Sequence, residues 1–261
     1  MHKILSPFYY AWRLRRAWWF TATARTRARF ARTKLGSFWL GFSNLLSISV
    51  LATVYGTVFK VQDFSSYAVF LGTGLVIWNS MSGAIVSSNQ IFIYNADNLR
   101  NTNLNPIYYL AEEWAFQIQT FSQSFILVLL GLSFFQPNLF LNLIIAAWFP
   151  LLNLILFIYW FPLLVCLLGS WFRDIYQLIP IVMQLLFLLS PILYQKKNLG
   201  NLSWIVNFNP LYRVLSPLRH ALMHGELQLS QTLTVLLINI IGIILATYLL
   251  NKQRPYLPFL Y

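Results

Sequence analysis

The chain has 261 residues, of which 58% are hydrophobic, 18% aromatic and only 9% charged, with a mean hydropathy of +0.62. A soluble domain carries about 25% charged residues, so this composition excludes one and describes an integral membrane protein rich in interfacial or cavity-lining rings. The net charge of +12 does not point to nucleic acid: nine of the 18 Lys and Arg residues precede Gly36, where anionic lipid headgroups are the nearer partner.

Residues 1–36 alternate rings with cations: Phe8, Trp12, Trp18, Trp19 and Phe30 stand among Arg13, Arg15, Arg16, Arg25, Arg27, Arg29, Arg32 and Lys34. Drawn as a helix, the segment places Trp12, Trp19, Thr23, Thr26 and Phe30 near one stripe and Arg25, Arg29 and Arg32 on another. An amphipathic helix lying along the inner leaflet fits, with rings in the acyl boundary and basic side chains snorkelling to phosphates. A purely topogenic anchor is the other reading, because Lys and Arg beside a first span hold that flank in the cytoplasm. No cleavable leader is expected, since the first apolar stretch begins beyond Lys34 and no small-residue cleavage site follows it.

Residues 37–261 read as a single six-span unit. The first span runs from about Phe38 to Phe59, and Lys60, Gln62 and Asp63 mark its outer end. The second, about Tyr67 to Ile93, holds Thr73, Asn79, Ser80, Ser82, Ser87, Ser88 and Asn89 with Gly72, Gly74 and Gly83. Small and hydroxylated residues suit close helix packing, and the same residues suit a hydrophilic path. A polar cytoplasmic loop follows, and Asn105-Pro106 opens the next helix. Its early turns carry Glu112 and Glu113, which diverge by about 100° on a helix and so form no catalytic acid pair; interfacial or intersubunit pairing is expected instead.

The third span, about Trp114 to Phe135, carries Gln117, Gln119 and Gln123. The run from about Leu139 to Trp171 exceeds one straight crossing of about 20 residues, and Pro150 and Pro162 are expected to divide or kink it. Within it lies Cys166, the single cysteine, which excludes disulfides within the chain and zinc sites. The fifth span, about Ile175 to Leu193, puts Gln177 and Gln184 on one face and breaks at Ser190-Pro191. Two short amphipathic helices, one ending near Phe208 and one from Pro210 to His224, are expected to lie on or dip into the outer face. His220 and His224 have the i, i+4 spacing of a metal pair but lack a third ligand, so no metal is assigned. The last span, about Leu229 to Leu250, ends at Lys252 and Arg254. With both termini inside, thirteen Lys and Arg residues fall on cytoplasmic segments and five outside (Lys60, Lys196, Lys197, Arg213 and Arg219).

No G-x-x-x-x-G-K-[ST] phosphate loop, G-x-G-x-x-G turn or G-x-S-x-G elbow occurs. Every Asp, Glu, Lys and Arg maps to a span end or a loop, whereas ion-coupled carriers need ionisable groups at depth. A passive path or an external energy source is left. Uncharged polar span residues among many rings suit a large amphiphilic substrate, since sugars stack on aromatics and hydrogen-bond to amides and hydroxyls.

Four segments in order carry a resemblance: R-F-A-R-T-K-L-G-S-F-W at Arg29 to Trp39, F-R-D at Phe172 to Asp174, L-S-P-I-L-Y at Leu189 to Tyr194, and N-P-L-Y…L-R-H-A-L-M-H-G at Asn209 to Gly225. Together the chain resembles the permease subunit of ABC-type polysaccharide exporters, which move lipid-linked O-antigen, capsular polysaccharide or teichoic acid. The resemblance implies an all-α integral membrane fold in the bacterial inner membrane and a homodimer with two copies of a separate ATPase, where ATP and Mg would bind. This chain itself would be no enzyme and hold no cofactor. It further implies a gate helix at about Trp12 to Thr33, a cytoplasmic coupling helix at about Asp97 to Tyr109 (Asp97, Arg100, Asn105, Pro106, Tyr109), and short periplasmic helices at about Leu202 to His224. The channel would be lined by the first and fifth spans, at Phe42, Ser49, Gln177 and Gln184. Charge and position suggest that Arg25, Arg29 and Arg32 meet the pyrophosphate of the lipid carrier. A drug or small-lipid exporter permease shares the span plan, and a membrane-embedded glycosyl- or acyltransferase is the alternative of a different class.

Overall fold

A computed structural model describes residues 9–101, 104–196, 198, 200 and 203–257. Phe8, Lys197 and Leu202, used in the sequence reading, lie outside them. All regular structure among the described residues is helical, the outcome expected where no water is at hand to satisfy the backbone. In chain order the elements are α1 (Arg15–Phe30), α2 (Phe38–Val58), α3 (Phe64–Ser88), α4 (Ile91–Tyr94), α5 (Ala96–Asn101), α6 (Ile107–Leu132) and α7 (Leu139–Asn142). A π-helical turn (Leu143–Ala147) leads into α8 (Trp148–Trp171), and α9 (Ile175–Leu189), α10 (Ser203–Phe208), α11 (Pro210–His224) and α12 (Leu229–Gln253) complete the chain.

Five helical runs are long and apolar enough to cross a membrane: α2, α3, α6, Leu139–Trp171 and α12. The sequence reading counted six. α9 has 15 residues, about 22 Å of helix, short of the roughly 30 Å of hydrocarbon, because Ser190-Pro191 stops it. Its placement is nonetheless end to end along α3. Asn89 Nδ2 at one end donates to Ile175 O at 3.4 Å, the Trp78 and Phe187 rings lie 5.8 Å apart midway, and Tyr67 Oη at the other end donates to Leu193 O at 2.6 Å.

α3 is the hub, packing against α2, α6, α8, α9 and α11. Its polar side chains serve that packing. Ser88 Oγ donates to Pro162 O at 3.0 Å, Thr73 Oγ1 to Val69 O within its own helix at 2.7 Å, and Asn79 Nδ2 to Asn44 Oδ1 at 2.8 Å. Asn44 Nδ2 passes the chain of bonds on to Ser124 Oγ at 2.7 Å. Of the two readings of this polar span, close packing accounts for these bonds.

α8 and α12 run parallel. Asn153 Nδ2 donates to Thr232 O at 2.9 Å, Trp160 Nε1 to Asn239 Oδ1 at 2.8 Å, and Ser170 Oγ to Gln253 Oε1 at 3.4 Å. The seam is close because Gly242 lies under the Trp160 indole; a Cβ there would fall 2.3 Å from Trp160 Cδ2. Two successive parallel helices require the chain between them to return along the bundle, which is the course that Ile175–Leu193 takes beside α3.

The long fourth run, expected to be divided or kinked at Pro150 and Pro162, is not divided at Pro162. Pro162 lies inside an uninterrupted α8, and the irregularity is the π turn at Leu143–Ala147. Pro150 acts through that turn: its ring crowds the carbonyl four residues earlier, at Ala146, and it brings no N–H to bond it.

The ends of the helices are well marked. Asn209 Oδ1 caps α11 by accepting from Leu211 N at 3.0 Å, as an Asn before a Pro at the first helical position does. Asp63 caps α3, accepting from Ser66 N at 3.1 Å. α2 ends in the pairing of Val61 N with Gly56 O and of Lys60 N with Thr57 O, which puts Lys60 in left-handed backbone at φ 50°, a position glycine ordinarily holds.

Candidate functional site

α1 packs along the first half of α6, and the residues that bring it there are small. Ala22 on α1 and Ala115 on α6 are fully buried against each other's helix, with Phe116 and Trp18 closing the contact. The face that α1 turns to the protein is therefore Ala22 and Thr26 with the half-buried Trp18, and the ring stripe read as facing the acyl boundary is not the packing face. Trp12 and Trp19 are exposed, as is Phe20. Two backbones approach closely only over small side chains, so the alanines took the inner face and left those rings outside.

Polar contacts then fix the register. Gln119 Nε2 donates to Thr23 Oγ1 at 3.0 Å, and Thr21 and Tyr108 hydroxyls meet at 3.4 Å. Arg25 Nη1 donates to Glu113 Oε2 at 2.6 Å, its guanidinium 4.1 Å from the centre of the Phe116 ring. The other oxygen of Glu113 accepts from Ser87 Oγ and Gln117 Nε2, both at 2.7 Å. Glu113 is thus buried and paired within the chain, with the N-terminal helix expected at the membrane interface. The i, i+4 spacing of Glu113 and Gln117 was a readable signal for part of this cluster; Ser87 had none.

The cluster stands between two hollows. One, of about 590 Å³, is lined by Arg25, Ser87, Gln90, Tyr94, Asn95 and Glu112 among others, and Tyr109, whose buried hydroxyl has no partner among the described residues, borders it. The other, of about 660 Å³, is lined by Arg25, Ala28, Arg29, Gly83, Ser87 and Gln117 with Phe116. Arg25 and Ser87 face both. Of the three arginines singled out from sequence, Arg25 is held by Glu113, Arg29 is exposed at the second hollow, and Arg32 is exposed beyond the end of α1.

In the segment from Asp97 to Tyr109, Asp97 and Arg100 are exposed on α5, whereas Asn105, Pro106 and Tyr109 are buried. Asn105 shapes the bend by accepting from Ile107 N at 3.3 Å. Phe42, Ser49, Gln177 and Gln184 are all exposed. They sit on α2 and α9, which each pack against α3 and are not brought together within one chain. α2 is the barest of the five long runs, with 17% of its apolar window buried.

The opposite end of the bundle holds a residue that sequence reading left among loop cations. Arg219 is buried on α11, where Nη1 donates to Pro191 O at 2.9 Å and the guanidinium lies 3.9 Å from the Phe70 ring centre. Among the described residues no carboxylate pairs with it, and burial pushes its pKa down to about 10, so it remains a cation at neutral pH. Pro191 and Phe70 are distant in sequence, so nothing local announced the site. Nearby, the rings of His220 and His224 stack at 4.4 Å rather than converge on one point.

Residues 19–223 match the family described as ABC-2 type transporter. The chain is 25% identical over 238 residues to the O-antigen export system permease protein RfbA of Klebsiella pneumoniae, covering 87% of this chain and 88% of that one. It is 24% identical over 223 residues to the polysialic acid transport protein KpsM of Escherichia coli, covering 80% of this chain and 82% of that one.

Proposed function

This chain belongs to the ABC-2 type transporter family, and from that membership we propose that it is the permease subunit of an ATP-driven exporter moving a lipid-linked polysaccharide across the bacterial inner membrane. The observation that carries the reading is likeness over most of the chain to a permease named for O-antigen export and to a protein named for polysialic acid transport. The chemistry of the chain agrees: no phosphate loop of its own, and spans that are polar without charge at depth.

Two copies of the chain face each other across the path, with α2 and α9 of each presenting Phe42, Ser49, Gln177 and Gln184 to it; the exposed flanks of both helices support this. The Ile175–Leu193 segment makes the sixth crossing, so that both termini are cytoplasmic, in keeping with the excess of Lys and Arg on that side. Two copies of a separate ATPase bind ATP and Mg and dock on α5, where Asp97 and Arg100 are exposed, while Asn105, Pro106 and Tyr109 set the angle at which α6 leaves the docking segment. Closure of the ATPases on ATP is transmitted through residues 97–109 and opens the path. The lipid-pyrophosphate headgroup enters beside α1, where Arg29 and Arg32 meet it and Arg25 follows if Glu113 releases it; guanidinium pairs bidentately with phosphate oxygens.

Affinity purification in mild detergent, with mass spectrometry of partners recovered in near-equal amount, tests the reading together with a deletion strain. Recovery of a subunit bearing G-x-x-x-x-G-K-[ST], and accumulation of lipid-linked glycan inside the deletion strain, are expected. A chain that purifies alone and stays alone under crosslinking would overturn it.

A further inference from the structure

At the end of the bundle opposite α1, a hollow of about 570 Å³ opens between the loop that follows α2 and the segment that follows α9. Its size is that of a small-ligand site. The rings of Phe59, Tyr67, Phe70 and Tyr194 form its apolar part, and Lys60, Gln62, Asp63, Gln195, Asn198 and His224 its polar part.

The groups are pre-set rather than loose. Tyr67 is buried with its Oη engaged by Leu193 O at 2.6 Å, and Tyr194 Oη is engaged by Leu188 O at 2.8 Å, so both hydroxyls are used within the chain and the faces of Phe59 and Tyr194 are what remain open. Phe59 is stacked on Tyr55 at 5.7 Å. Asp63 is oriented by Ser66, whose N and Oγ both donate to it. Lys60 is held in left-handed backbone, a conformation that L side chains avoid and that tends to persist where a site uses it. His224 is fixed by the stacked His220 ring.

Fixed aromatic faces beside a carboxylate, three amides and a cation are the complement of a pyranose. Its C–H face stacks on a ring, and its neighbouring hydroxyls donate to carboxylate and amide oxygens while accepting from amide and ammonium N–H. We infer that this hollow binds one or two hexose units of a glycan as the chain leaves the path. The position supports a chain in transit: the hollow lies at the outer ends of α2 and α9, the two helices assigned to the path. This rests on the export reading above.

The test uses the complete transporter, with its ATPase, in lipid nanodiscs. The probe is the oligosaccharide released by mild acid from the surface glycan of the same cells, followed by saturation-transfer NMR. Sugar C–H protons are expected to receive saturation. The double variant Gln195→Ala/Asn198→Ala is expected to bind at least tenfold more weakly and to export more slowly, while Lys252→Ala, exposed at the far end of α12, leaves probe affinity unchanged. Absence of binding, or equal binding by the double variant while export and ATPase recovery persist, overturns this inference alone. Weakened probe binding with an unchanged export rate would assign the hollow to a sugar arriving from outside and overturn the transit role. Loss of ATPase recovery in the parent protein would strike the underlying reading instead.

Discussion

Arg25 and Glu113, from helices 88 positions apart in the chain, meet at 2.6 Å, and the arginine side chain is 46% exposed while the glutamate is 7% exposed. The pair is a clasp with its acid inside and its base at the rim. Glu113→Ala leaves Ser87 and Gln117 without their shared acceptor. A hydrogen bond to a charged group contributes about 1.5–3 kcal/mol, and the solvent-facing side of the pair puts the expected loss at the lower end of that range. Limited proteolysis should then cut within α1 faster, and the exchange Arg25→Glu with Glu113→Arg should restore part of the protection.

Arg29 and Arg32 hold no such structural post. Replacing both with Gln should change thermal stability by no more than about 0.5 kcal/mol yet lower export and substrate-stimulated ATP hydrolysis several-fold, whereas Arg25→Gln should lower both stability and export. Surface glycan staining beside membrane insertion checks this. Unchanged export in the Arg29/Arg32 variant would remove the headgroup role, and an inverted topology would return α1 to the anchor reading.

The α8–α12 seam admits no added methyl group. Gly242→Ala forces the Trp160 indole aside and should destabilise the protein by about 1–3 kcal/mol, as overpacking does. Asn239→Leu should cost a similar amount, because it strands the Trp160 N–H that Asn239 accepts. Melting curves of purified protein in detergent measure both.

Lys60 gives the opposite sign. Left-handed backbone costs an L residue roughly 1–2 kcal/mol, so Lys60→Gly should raise the melting temperature while removing a cation from the rim of the outer hollow. A more stable protein with weaker oligosaccharide binding is the expected combination.

Asp63 predicts a pH effect. The Ser66 side chain and backbone bonds hold its carboxyl below the ordinary value of 3.8. A group whose pKa is depressed on folding stabilises fully above its unfolded value, and that contribution is lost as pH falls through the folded one. Protection of the start of α3 from hydrogen exchange should therefore be constant above pH 5 and decline below about pH 4, and Asp63→Asn should flatten the decline.

Much of this was legible because caps and apolar runs are local signals. Asn105-Pro106 and Asn209-Pro210 each mark the start of a helix, and the long spans follow their hydropathy. What was not legible depends on distant partners. The packing face of α1 was not legible because its close approach is decided by Ala22 meeting Ala115, far apart in the chain. The π turn at Leu143–Ala147 lies upstream of the proline that disturbs it, so marking the prolines themselves misplaced the irregularity. Glu113 found its base on α1, and Arg219 found Phe70 and Pro191, through folding alone.

The seating of α1 on α6 has a mechanical consequence. α6 is one unbroken rod that begins two residues after Asn105 and carries α1 along its first half; α4, against which α5 packs, also lies on it. In the proposed mechanism, a push at Asp97 and Arg100 would pass through α4 to the rod that also carries Arg25, so the docking segment and the N-terminal helix share one support.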